Sequence, residues 1–153
     1  MEIRLQLEEY QLAVADLIKD INFLPFYKNV GKILLDAVYT NFETDGAYFQ
    51  RGTPWMPLAK STIRVRERLG FTPINILRRR AGDAGLLGSI NFTANNNYVE
   101  IGTNVFYAEY LHFGVPGRMP ARPIFPENEF PSEVIEDIAD AFNKLIKRHF
   151  QIK

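Results

Sequence analysis

The sequence contains no cysteine, which excludes disulfides, thiolate catalysis and cysteine-rich zinc sites. It has no net charge either, because 18 basic and 18 acidic side chains cancel. Overall charge therefore gives no reason to expect nucleic acid or a membrane as a partner, although a local patch is still compatible with it. No apolar run approaches the ~20 residues needed to span a bilayer. The opening MEIRLQLEEYQ carries acidic residues and lacks the apolar centre of a secretion signal, so a cytoplasmic location is expected. No G-x-x-x-x-G-K-S/T loop and no G-x-S-x-G elbow occurs, and only two histidines and one tryptophan are present.

What the 153 residues do hold is a globular composition, 46% hydrophobic and 13% aromatic, enough for a core in one domain spanning 1–153. Residues 2–7 alternate, with Ile3, Leu5 and Leu7 on one face, and read as a short strand; a helix follows to about Ile21. Pro25 suits the first turn of a second helix over 25–42, where Phe26, Val30, Ile33, Leu34, Ala37, Val38 and Phe42 form an apolar stripe. Gly31 interrupts that stripe and leaves room for a close approach.

Residues 43–57 and 70–85 read as long loops, a length that is uncommon in compact domains and marks functional or mobile segments. Trp55 is expected to dock on the core and pin the first loop. Between the loops, 58–69 form an amphipathic helix with Arg64, Arg66 and Arg68 on its polar arc. Strands at 86–93 and 98–102 flank Asn95-Asn96-Asn97, which suits a tight hairpin turn. A brief helix over 106–113 is stopped by Gly114, and the following PARPIFP is too rich in proline for a helix, so it reads as an extended, sheet-edge strand. A final helix spans 132–150, acidic early and basic late in agreement with the helix dipole. The sum is an α+β fold: a small antiparallel sheet containing a hairpin, flanked by three to four helices.

Two constellations invite a chemical reading. Glu109 and His112 are three apart in the brief helix, so they share a face; together they suit an oriented general base or two ligands of a metal. That reading makes the chain a small hydrolase or metal protein, but it is short of partners, since a catalytic zinc needs about three protein ligands. A hydrogen-bonded, half-buried histidine is the plainer reading. Arg78-Arg79-Arg80, with Arg64, Arg66 and Arg68, offers phosphate contacts for a nucleic-acid-binding module over 64–80. No helix-turn-helix, zinc finger or RNA-binding signature accompanies the run, and the same arginines suit an acidic protein surface.

Taken in order, these segments resemble the phage virion morphogenesis family, the tail-completion proteins of contractile-tailed phages and prophages. The similarity begins at Trp55-Met56-Pro57-Leu58 with Thr62 and Arg66, continues through Gly85 to Ser89, and is strongest in IGTNVFYAEYLHFG and MPARPIFP, from Ile101 to Pro126. It extends more loosely to related tail-component proteins of long-tailed phages. The family's Thr-Gly pair before its Leu–Ser strand is not matched here, where the chain reads Asp83-Ala84-Gly85.

The resemblance implies a non-enzymatic assembly protein without cofactors. It would act in tail completion and head–tail joining in the host bacterial cytoplasm and then reside in the virion tail or neck. Its partners would be other tail or neck proteins and further copies in a ring, with neither membrane nor nucleic acid involved. Arg78, Arg79, Arg80, Phe113, Arg118, Met119, Arg122 and Ile124 are the candidate interface. Trp55, Leu58, Gly85, Tyr107, His112, Gly114 and Pro120 are the expected structural anchors.

Overall fold

The computed structural model describes residues 15–71, 74–78 and 85–151. The chain adopts the expected α+β arrangement. Helix α1 (Leu24–Glu43) is followed by α2 (Lys60–Arg68), strands β1 (Ile90–Ala94) and β2 (Val99–Thr103), α3 (Ala108–Phe113) and α4 (Ser132–Phe150). Residues 15–18 are helical and agree with the end of the expected first helix; the strand expected at 2–7 lies outside the described residues.

Helix α1 organises the rest. Asn22 Oδ1 accepts from the Leu24 N–H at 3.1 Å, and Pro25 takes a first-turn position where no amide is needed. Its broad stripe packs on both strands and on α4. Val38 and Phe42 join Trp55, Leu87, Ile90 and Ile124 in one buried cluster; Val30, Leu34 and Ala37 join Val134 in a second. Gly31 has a specific cause. A Cβ there would stand 2.2 Å from the ring of Phe92 on β1, so glycine is what lets the hairpin lie against the helix.

The hairpin pairs β1 with β2 antiparallel, Ile90 opposite Thr103 and Ala94 opposite Val99. Asn95 Oδ1 accepts from the amides of Asn97 and Tyr98, fixing the turn through its side chain. The first strand is shorter than the sequence reading of 86–93. Leu87–Ser89 form a 3-10 turn instead, closed by Ser89 N–H to Gly85 O at 3.1 Å and Ser89 Oγ to Leu86 O at 2.6 Å. Gly85, at φ +87°, starts that turn in the left-handed region. Turning the backbone this way sends both Leu86 and Leu87 into the core, where a strand would alternate them.

The connection from α1 to α2 is a loop, as expected, and its own hydrogen bonds hold it down. Gly46 N–H reaches Asn41 O at 2.7 Å, and Trp55 N–H reaches Asp45 O at 2.6 Å. Helix α2 buries none of its residues. Part of the second expected loop, 70–85, lies outside the described residues.

Candidate functional site: a clasped proline run and the faces beside it

Pro120, Pro123 and Pro126 leave few backbone donors in residues 120–126 and bar a helix. The segment is not the sheet-edge strand that its composition suggested: the sheet pairs β1 with β2, and this run crosses the core instead. Arg122, Pro123 and Ile124 are all buried, so their polar backbone groups need partners from elsewhere.

Three remote segments supply them, chiefly through side chains. The Trp55 indole N–H donates to Pro123 O at 3.0 Å. Asn41 Nδ2 lies 3.4 Å from Pro123 O and 3.5 Å from Ile124 O, while its Oδ1 accepts from the Phe49 amide at 3.0 Å. The Ile124 amide donates to His112 Nδ1 at 3.0 Å, and the Arg122 amide donates to Leu111 O at 2.8 Å. In return the Arg122 guanidinium reaches across to the loop before α2. Its Nε donates to Met56 O at 3.1 Å and its Nη2 to Pro57 O at 3.3 Å. The buried run is thus clasped by α1, by the tryptophan loop and by α3, and the segments far apart in sequence meet at one place.

The expected anchors take different places in this geometry. Trp55 is buried against Phe42, edge to face with ring centres 5.5 Å apart. His112 spends Nδ1 as an acceptor, which puts its proton on Nε2 when the ring is neutral. Burial holds its pKa below the ordinary histidine value, with Glu127 pulling weakly the other way. Gly114 combines φ 73° with ψ 178°, a region essentially reserved for glycine, and a Cβ there would sit 2.6 Å from the Ala121 amide nitrogen. Leu58 and Pro120 are half-buried, Gly85 starts the 3-10 turn, and Tyr107 is exposed beside Phe106.

Two of the candidate interface residues are interior. Ile124 is 0% exposed and Arg122 only 5%, so neither offers surface to a partner in the folded chain. Ile124 is placed there by its hydrophobicity, and Arg122 by two carbonyls that accept its fork. The Arg122 pKa is lowered first by that burial and then by the like charge of Arg66, yet an arginine remains charged under physiological conditions. Arg66 itself donates to Asn75 O at 2.5 Å and to Ile76 O at 3.4 Å. Phe113 and Arg118 are exposed and Met119 is half-buried. Arg78 is half-buried, while Arg79 and Arg80 lie outside the described residues. Asn41 was missed by sequence reasoning; the available signal was a lone amide on the buried arc of α1, between Val38 and Phe42.

Two faces adjoin the clasp. On one, Phe106 is 82% exposed, Phe113 70% and Tyr110 55%, and Phe106, Glu109 and Phe113 line a hollow of about 430 Å³ floored by Ile124 and Phe125. On the other, a groove of about 960 Å³ runs between α2 and the 118–122 segment, with Arg66, Arg118 and Arg122 among Leu58, Leu77 and Met119. Glu109 makes no hydrogen bond to His112 among the described residues, and no group of three metal-ligating side chains gathers among them.

A model of the phage virion morphogenesis family matches residues 5–145, most of the chain. The chain belongs to that family. Membership in the phage virion morphogenesis family gives it a role in phage assembly. Of the segments that carry the resemblance, Trp55 to Leu58 with Thr62 and Arg66, Gly85 to Ser89, and Ile101 to Pro126, the first and the last supply Trp55, Met56, Pro57, His112 and Arg122 to Ile124 to the clasp. No curated protein matched, and no solved structure matched.

Proposed function

We propose that the chain is a non-enzymatic protein of tail completion and head–tail joining that works by protein–protein contact. The face around Phe106, Tyr110 and Phe113 would seat on another tail or neck protein. The observation that carries this reading is the exposure of those rings beside an apolar hollow. Large apolar side chains left in water and clustered mark a contact surface more often than chance, and aromatic anchors dominate binding energy where they meet a partner. The clasp beneath explains how a short helix holds Tyr110 and Phe113 in place, with Phe106 just ahead of it: α3 is fastened to the core through Leu111 and His112 at its inner side.

The host cytoplasm during assembly, and then the tail or neck of the particle, are the locations this reading assigns. The test is a serine triple variant, Phe106→Ser, Tyr110→Ser and Phe113→Ser, in a phage or prophage carrying the gene. Folding should be retained, because exposed substitutions usually change stability by less than about 0.5 kcal/mol each. Joined particles should fall sharply while separate heads and tails accumulate. A normal yield of joined particles from the folded variant would reject the proposed face.

A further inference from the structure

Zero net charge conceals strong segregation along the chain. In α2, Lys60, Arg64, Arg66 and Arg68 against Glu67 leave an excess of three positive charges on a helix that buries none of its residues. Residues 127–140 carry six carboxylates and no lysine or arginine. Glu127 and Glu129 begin that stretch on an exposed loop held between Pro126 and Pro131, and neither makes a hydrogen bond or ion pair among the described residues. In the 960 Å³ groove, the exposed Arg118 likewise has no side-chain partner among them. Beneath it, among the described residues, the buried Arg122 guanidinium is held by two neutral carbonyls, so its charge adds to the positive potential of the groove without reaching its surface. A carboxylate placed in the groove would meet the exposed Arg118 directly, and the apolar walls from Leu58, Leu77 and Met119 would strengthen that pairing by excluding water.

We propose that this groove receives the acidic 127–129 segment of a second copy of the chain, so that copies join head to tail. The acidic 127–129 loop does not line the groove, so the two contact surfaces differ, and the contact is heterologous and propagates from copy to copy. This deepens the assembly reading without using the aromatic face, which stays free for another protein. Opposite charges at the two surfaces also steer the encounter, so association should weaken with salt.

The experiment is sedimentation of the full chain, with thermal melts to confirm that each variant is folded. Raising salt from about 50 mM to about 500 mM shortens electrostatic screening roughly threefold, and self-association should weaken about tenfold or more. Arg118→Glu alone should be monomeric, and so should Glu127→Arg with Glu129→Arg. Mixing the two variants should restore association, because each then offers the charge that the other's groove or loop lacks. A chain that stays monomeric at low salt, a folded Arg118→Glu protein that associates like the original, or a mixture that remains monomeric would each overturn the inference. Duplex DNA bound through Arg118 in place of self-association would overturn it as well. The two readings separate cleanly: a monomeric chain with particle yield still sensitive to the aromatic face removes only the contact between copies. Salt-sensitive self-association restored by the mixture, with particle yield indifferent to that face, supports it and removes only the joining reading.

Discussion

Replacing Asn41 by alanine should remove the centre of the clasp. Asn41 is 0% exposed and binds three backbone groups, of which the Phe49 amide at 3.0 Å is the best placed. Losing that acceptor strands a half-buried donor, at about 1–3 kcal/mol. Its two bonds to Pro123 O and Ile124 O are long, at 3.4 and 3.5 Å, and Pro123 O keeps the Trp55 indole, so they add little. The vacated volume adds about 1 kcal/mol. The expected total is about 2–4 kcal/mol, a large share of the roughly 5–15 kcal/mol that holds a typical domain. For a chain of this length it should lower Tm by about 5–15 °C. Asn41→Leu restores the volume but leaves the same orphaned amide, so it should still cost about 1–3 kcal/mol. Urea unfolding followed by the fluorescence of Trp55, the sole tryptophan, reads both variants at the place where the damage occurs. If Asn41→Leu unfolds within about 0.5 kcal/mol of the original chain, the hydrogen bonds are not what secures the run.

Further expectations follow from the same contacts. His112 has its pKa lowered by burial, so folding favours the neutral ring; its contribution is fully present above the unfolded value of 6.5 and is lost as pH falls from there through the folded value. His112→Asn, which keeps an acceptor for the Ile124 amide, should remove that acid loss of stability below pH 6.5; an unchanged pH profile would show that His112 is not its source. Gly114→Ala should destabilise by about 3 kcal/mol or more, because left-handed strain adds to contact with the backbone of residues 119–121, and a Tm within 2 °C of the original would contradict it. Gly31→Ala should destabilise by about 1–2 kcal/mol in chemical unfolding, the clash with Phe92 outweighing the gain of about 1 kcal/mol in helix propensity; a more stable protein would mean the ring moves aside freely. Trp55→Phe keeps the ring but loses the indole bond to Pro123 O, and should cost about 1–2 kcal/mol by denaturation followed by circular dichroism.

The elements legible in the sequence are those set by local pattern. Ser132–Phe150 was readable because its apolar side and its charge order both follow the helix, and the hairpin was readable from alternation around three asparagines. Residues 86–89 misled because Leu86 and Leu87 suit a strand, while the deciding events, a left-handed glycine and a serine bonding back to Leu86 O, leave no period. The proline run misled for a different reason. Its extended backbone was legible, but what satisfies it comes from Asn41, Trp55 and His112, which are between 12 and 83 positions away in the chain. Arg122 looked like surface because charge usually stays in water; only the approach of Met56 O and Pro57 O makes its burial affordable. Phe113 and Arg118, by contrast, stand exposed on the two faces beside the clasp. The histidine that invited a catalytic reading is a fastening of the fold, and the faces on either side of it carry the proposals for contact.

The most direct measurement is a count of joined and unjoined particles by electron microscopy. It would use lysates in which the original gene is replaced by the Phe106→Ser, Tyr110→Ser, Phe113→Ser form, with the purified variant melting as the original does. The account predicts free heads and tails with few joined particles. Joined particles in normal number, made with a folded protein lacking those three rings, would contradict it.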